Sequence, residues 1–301
     1  MTSQLIQLQA DYQHLPQLEF SATNSGLIMI AVRNELAQAS ICLHGAHVCS
    51  FQPQQQRPVL WLSSQAQFTE GKAIRGGVPV CWPWFGPHPT DSNLPQHGFA
   101  RNQNWQLENA TQLPSGATEL TFVLTDTPAS RELWPHAFKL ALKVTVATEL
   151  TLELITTNCD DVPATVGGAL HSYFAVGNIA QTRIEGLDQV VYDDKVSHQD
   201  DLIQRGDILI DEEVDRVYRE TTGRCLIHDD ASTRKISVAK QGSSTTVVWN
   251  PWTDKAAAMA DFEDDGYHHM VCIEAVNSGD DCHTLQPGAS HRLIQVINVV
   301  E

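Results

Sequence analysis

The sequence predicts an all-β protein, an antiparallel sandwich or barrel, from three observations. Segments such as ATELTFVLTD, FKLALKVTVAT, ELTLELITTN, TRKISVAK and STTVVWNP alternate apolar and polar residues or are rich in valine, isoleucine and threonine, with HHMVCIEAV and HRLIQVINVV close behind. Clusters of Asn, Asp, Gly, Pro and Ser separate them at short intervals, the punctuation of consecutive antiparallel strands. Helical periodicity is nearly absent. No linker or internal repeat divides the chain, and strand signals continue to Val300, so residues 1–301 are expected to form a single domain.

Composition limits the function. A formal charge of −17 gives no basic footprint for nucleic acid or an anionic membrane, so an anionic small ligand would need a local arginine cluster. The N-terminal stretch MTSQLIQLQADYQHLPQLEF lacks the pattern of a secretory signal, and no apolar run is long enough to span a bilayer. Seven cysteines without a CxxC pair read as reduced thiols of a cytoplasmic protein. His44 and His47, or His268 and His269, have no cysteine partners at zinc spacing, and no metal is expected.

Along the chain, the first distinctive element is IRGGVPVCWPWFGPHPTDSNLPQHGFARNQNW, residues 74–105. Pro79, Pro83, Pro87 and Pro89, with Gly76, Gly77 and Gly86, exclude a regular helix and leave loop and short strand. Its arginines and tryptophans suit a ligand with an apolar flank and oxygen-rich edges, such as a sugar; the alternative is a stiff connection whose tryptophans enter the core. Farther on, SRELWPHAF can form a short turn of helix limited by Pro135.

In GGALHSYFAVGNI, alternation places His171 and Tyr173 on one strand face, and Leu170, Ser172 and Phe174 on the other. A histidine there is either a proton donor near neutral pH or a hydrogen-bonded core residue. Asp215, in the acidic segment EEVDRVYRE, reads locally as a solvated carboxylate or a turn residue. Trp249-Asn250-Pro251-Trp252 ends a strand in a turn carrying two indoles, and Asp261 to Tyr267 forms an acidic turn. In HHMVCIEAVNSG, Glu274 interrupts an apolar strand; such a carboxylate faces a polar cleft as a base, or is held in an ion pair or cap.

Taken in order, RGGVPVCWPWFGP, QHGFAR, ALHSYF, DRVY, VVWNP and VCIEA resemble the aldose 1-epimerase (galactose mutarotase) superfamily, and within it the hexose-6-phosphate mutarotase, or glucose-6-phosphate 1-epimerase, branch. The resemblance spans roughly residues 20 to 300. It implies a large antiparallel β-supersandwich with the sugar on its concave face. It also implies His171 as general acid and Glu274 as general base, with Arg75, Gln96, Arg101 and Asp215 contacting substrate and His97 and Tyr173 in the pocket wall. The implied activity is interconversion of the α and β anomers of a hexose 6-phosphate, with no cofactor and no metal, by a cytoplasmic monomer. The paired arginines account for a preference for a phosphorylated sugar. Two other readings use the same residues: a non-catalytic sugar-phosphate-binding regulatory protein, and a glycoside-cleaving enzyme, although hydrolysis ordinarily needs two carboxyl groups.

Overall fold

The computed structural model describes residues 3–300. Among them, two large sheets pack face to face, and every paired strand is antiparallel to its neighbours. The back sheet has nine strands, ordered 208–209, 182–185, 225–229, 234–241, 290–300, 149–158, 138–146, 118–125 and 106–112. Its strand Phe138–Val146 buries every second residue, Phe138, Leu140, Leu142, Val144 and Val146, and Glu149–Asn158 alternates likewise. This is the sequence alternation turned into one core-facing surface and one wet surface.

The second sheet carries the candidate site. Its order is 199–203, 191–194, 214–218, 245–250, 270–277, 168–170 and 80–81, with Tyr173–Ala175 also paired to the strand Met270–Asn277. Met270–Asn277 is buried along its whole length. Val271, Ile273 and Ala275 join the main core between the sheets, whereas Met270, Cys272 and Val276 join a second apolar cluster on the opposite face. Both faces of this strand are covered, so its sequence reads as a continuous apolar run rather than an alternation. A smaller four-stranded sheet over 18–53 flanks this arrangement.

All seven strand segments anticipated from alternation or β-branched content are strands. The near absence of helix is corrected at two places, Ser3–Asp11 and Trp252–Ala258. The first buries only Leu5 and Leu8, too narrow a stripe to give a periodic signal. The expected turn before Pro135 is a helix over Pro128–Leu133, with Thr127 capping Ser130 N–H and proline in its first turn. No helix among the described residues is long and apolar enough to cross a membrane.

Candidate active site

A cavity of about 1680 Å³ opens on the outer face of the second sheet. All eight residues singled out from the sequence, Arg75, Gln96, His97, Arg101, His171, Tyr173, Asp215 and Glu274, line it. Chain alternation explains the central pair. Leu170 and Phe174 enter the main core and Ser172 reaches back to Gln295, so His171 and Tyr173 face the cavity. Glu274 likewise projects from the face opposite Ile273 and Ala275.

His171 Nε2 lies 3.4 Å from Glu274 Oε1. The imidazole is stacked on the Tyr173 ring, with centroids 4.8 Å apart and 8° between planes, and meets Trp249 edge-on at 6.2 Å. Only 1% of Glu274 is exposed, and its Oε2 has no hydrogen-bond partner among the described residues. Burial, with His97, Arg101 and Arg75 nearby, pushes the His171 pKa well below the usual imidazole value. Burial and the Asp215 charge push Glu274 well above the usual carboxyl value, opposed by Arg101. Each group is therefore driven toward its neutral form. Neutral imidazole with carboxylic acid holds the same single proton as imidazolium with carboxylate, so the pair carries one mobile proton in either arrangement.

The 74–105 segment divides between core and cavity. Trp82, Trp84 and Trp105 are buried, and their indole N–H groups donate to Thr156 Oγ1, Pro95 O and Ala100 O. These tryptophans form no platform for a ligand. The aromatic wall comes instead from Tyr173, Trp249 and Phe85. The polar residues of the segment do reach the cavity. Arg75 donates through Nη1 to the Tyr173 hydroxyl at 3.1 Å and through Nε to Asp261 at 3.3 Å. Two residues on lies Gly77, at φ +59, where a Cβ would lie 2.2 Å from Val48 O and 2.8 Å from the buried His47 ring. Only glycine lets this backbone pass and deliver Arg75 to the wall.

Arg101 differs from its neighbours in charge balance. Its Nη2 donates to Gln96 O at 2.9 Å, its buried Nε has no partner, and no carboxylate among the described residues lies within ion-pair distance. The other cations of the cavity, Arg75, Lys195, Arg219 and Lys255, are each paired with acids. His97 sits at φ +65 beside Gly98, whose Cβ would fall 1.9 Å from Trp82 O. Gly86 N–H donates to His97 Nδ1, which leaves the proton on Nε2 of a neutral ring. Burial and the two arginines hold that ring neutral, its pKa pushed down to about 3.

The sequence profile of the aldose 1-epimerase family matches residues 29–298. The chain belongs to the aldose 1-epimerase family. It is an isomerase of that family. It is 38% identical over 287 residues to a Cenchrus ciliaris protein named "Putative glucose-6-phosphate 1-epimerase", covering 92% of this chain and 86% of the relative. An Escherichia coli protein of the same name is 36% identical over 275 residues, 91% of each chain. Among solved structures, that of "a putative mutarotase (YeaD)" from Salmonella typhimurium superimposes with a TM-score of 0.88 at 36% identity, covering 95% of this chain and 94% of that one.

Within this epimerase, the local reading of Asp215 is corrected, and two features, Lys255 and Gln295, escaped the sequence reading. Asp215 is no surface or turn residue: it lies in the strand Val214–Tyr218, opposite Trp249, and faces the cavity. Its acidic neighbours concealed it, because the strand's residues are mostly half-buried and give no clean alternation. Lys255, from the unanticipated helix, donates to Glu213 at 2.7 Å and approaches Asp215 to 4.0 Å. Gln295, 1% exposed in the back sheet, accepts from the Ser172 hydroxyl and donates to Ile273 O at 3.1 Å. It thereby ties the chain next to His171 to the chain next to Glu274 from behind.

Proposed function

We propose that the protein is a glucose-6-phosphate 1-epimerase, interconverting the α and β anomers of a hexose 6-phosphate. The observation that carries this reading is the buried acid–base pair, His171 and Glu274 at 3.4 Å, in a cavity whose uncompensated cation is Arg101.

The substrate is a cyclic hemiacetal whose anomeric carbon bears two oxygens, the C1 hydroxyl and the ring oxygen. These oxygens lie about 2.3 Å apart on one tetrahedral carbon, and hydrogen bonds of about 2.8 Å from each reach two protein atoms at the spacing of His171 Nε2 and Glu274 Oε1. Glu274 takes the proton from the C1 hydroxyl while His171 gives its proton to the ring oxygen, so neither charge builds up alone. Opening gives the free aldehyde. Rotation about C1–C2 presents the other carbonyl face, and the pair, working in reverse, closes the ring to the opposite anomer. The proton count of the pair is restored each cycle.

Arg101 supplies two charge-assisted bonds to the phosphate, supported by Arg75, Gln96 and the Nε2–H of His97, while Asp215 accepts from sugar hydroxyls. Tyr173 and Trp249 hold the imidazole plane and give the sugar an apolar flank. On this reading a single-domain monomer suffices, since all the invoked groups come from one chain, and the seven free cysteines accord with a cytoplasmic protein.

The test is α/β exchange of glucose 6-phosphate followed by NMR magnetisation transfer, against galactose and a His171→Ala variant. Accelerated exchange that the variant loses supports the reading. Binding of the sugar phosphate without acceleration would favour a regulatory sugar-phosphate-binding protein. Glycoside cleavage is less well supported, because the group at 3.4 Å from Glu274 is an imidazole and not a second carboxyl.

A further inference from the structure

Behind the cavity wall lies a thiol that anomer exchange does not use: Cys272, fully buried in the apolar cluster with Tyr173 and Trp249. Cys272 and Glu274 are two residues apart on one strand, so their side chains leave the same face. His171 arrives from the irregular step between 168–170 and 173–175, both paired with that strand. The Cys272 sulfur, a His171 ring nitrogen and a Glu274 oxygen all lie within 4.8 Å of one another. Two buried atoms of this group, His171 Nδ1 and Glu274 Oε2, have no hydrogen-bond partner among the described residues.

Zinc takes Cys, His and Glu donors at about 2.0–2.3 Å, which puts tetrahedral ligands about 3.3–3.6 Å apart. The His171–Glu274 separation of 3.4 Å already meets this, and drawing the Cys272 sulfur, which lies within 4.8 Å of both, to the same spacing completes a tripod. His171 and Glu274 border the cavity, so a fourth position is open to it. We propose that His171, Cys272 and Glu274 bind one zinc-like divalent cation, and that this cation stops anomer exchange by occupying both groups of the acid–base pair. The inhibition rests on the epimerase reading; the binding does not.

The charges balance. The cation displaces the thiol proton of Cys272 and the one proton shared by His171 and Glu274, forming metal–sulfur, metal–nitrogen and metal–oxygen bonds and releasing two protons. Thiolate and carboxylate then offset the two positive charges, which suits a buried floor. A sulfur and an imidazole donor select zinc or cobalt over magnesium or calcium.

Cobalt(II) titration reads the sulfur ligand directly, by its sulfur-to-metal charge-transfer absorption. It is carried out in a Cys159→Ala, Cys282→Ala background, which removes the exposed and half-buried thiols. One equivalent producing the band, its loss in Cys272→Ala and its suppression by glucose 6-phosphate are expected. Zinc is expected to slow anomer exchange reversibly by EDTA, with a half-inhibitory concentration at least tenfold higher in Cys272→Ala. Glu274→Gln, losing at least tenfold in cobalt affinity, gives an independent check should Cys272→Ala not fold. A missing band, or one that survives Cys272→Ala, overturns the site whatever the rate assay gives. A band with an exchange rate that zinc leaves unchanged overturns the inhibition. A band in a protein with no exchange activity upholds the site and sinks the epimerase reading alone.

Discussion

His171 Nε2 and Glu274 Oε1 face each other at 3.4 Å across the junction of two strands, in a floor that drives both groups toward neutrality. Two groups that share one proton act as a unit. Removing either is expected to abolish most of the acceleration, about 10²–10⁴-fold, and the double variant to lose no more than the worse single one. Anomer exchange measured for His171→Ala, Glu274→Gln and the pair checks this. Additive losses would mean that the two side chains act independently.

The directions of the shifts fix the sign of the pH dependence. His171 binds its proton only below its usual range, and Glu274 keeps its proton above its usual range. The singly protonated pair therefore spans the interval between a lowered acid limb and a raised alkaline limb, wider than unperturbed groups would give. Asp215 is the charge that raises Glu274. Asp215→Asn is expected to move the alkaline limb to lower pH and leave the acid limb in place. The profile of kcat/KM, measured with free glucose so that phosphate ionisation does not intrude, decides it; an unmoved alkaline limb would remove Asp215 from this role.

Arg101 and Arg75 both line the cavity, yet their electrostatic positions differ. Arg75 is held by Asp261 and Tyr173, while Arg101 has no carboxylate within ion-pair distance among the described residues. Loss of a charge-assisted bond at Arg101→Ala is expected to raise KM for glucose 6-phosphate about 10- to 100-fold. KM for free glucose should change little. Equal losses on both sugars would show that Arg101 shapes the pocket without reading the phosphate.

Most of this architecture was legible in the sequence because strands exposed on one face write their alternation directly. FKLALKVTV and ELTLELITT are such strands, and both pack as read. His171 and Tyr173 were assignable to one face for the same reason, and that assignment survives the break in pairing between Leu170 and Tyr173. Legibility failed where residues are half-buried without a clean period, or where composition alone had to decide. Asp215 lies in a half-buried strand among acids, and the tryptophans of 74–105 could serve core or ligand equally by composition. The helix Trp252–Ala258 follows a proline and contributes Lys255 to the cavity, but buries only Ala256. Gln295 was invisible because its function is a contact across the sandwich, set by neither its own strand nor its neighbours.

Gln295 also supplies the most discriminating test of positioning. Its amide joins the Ser172 hydroxyl to Ile273 O, and these residues adjoin His171 and Glu274 respectively. Gln295→Leu keeps the volume roughly but leaves a buried hydroxyl and a carbonyl without that partner, at a cost of about 1–3 kcal/mol in stability by denaturant unfolding. If the bridge also sets the 3.4 Å spacing of the acid–base pair, kcat falls while KM for glucose 6-phosphate stays near the original value, because Arg101 and the cavity wall are untouched. A variant that loses stability and keeps full kcat would make Gln295 a core residue only, and the registry of His171 against Glu274 would then belong to the strand pairing itself.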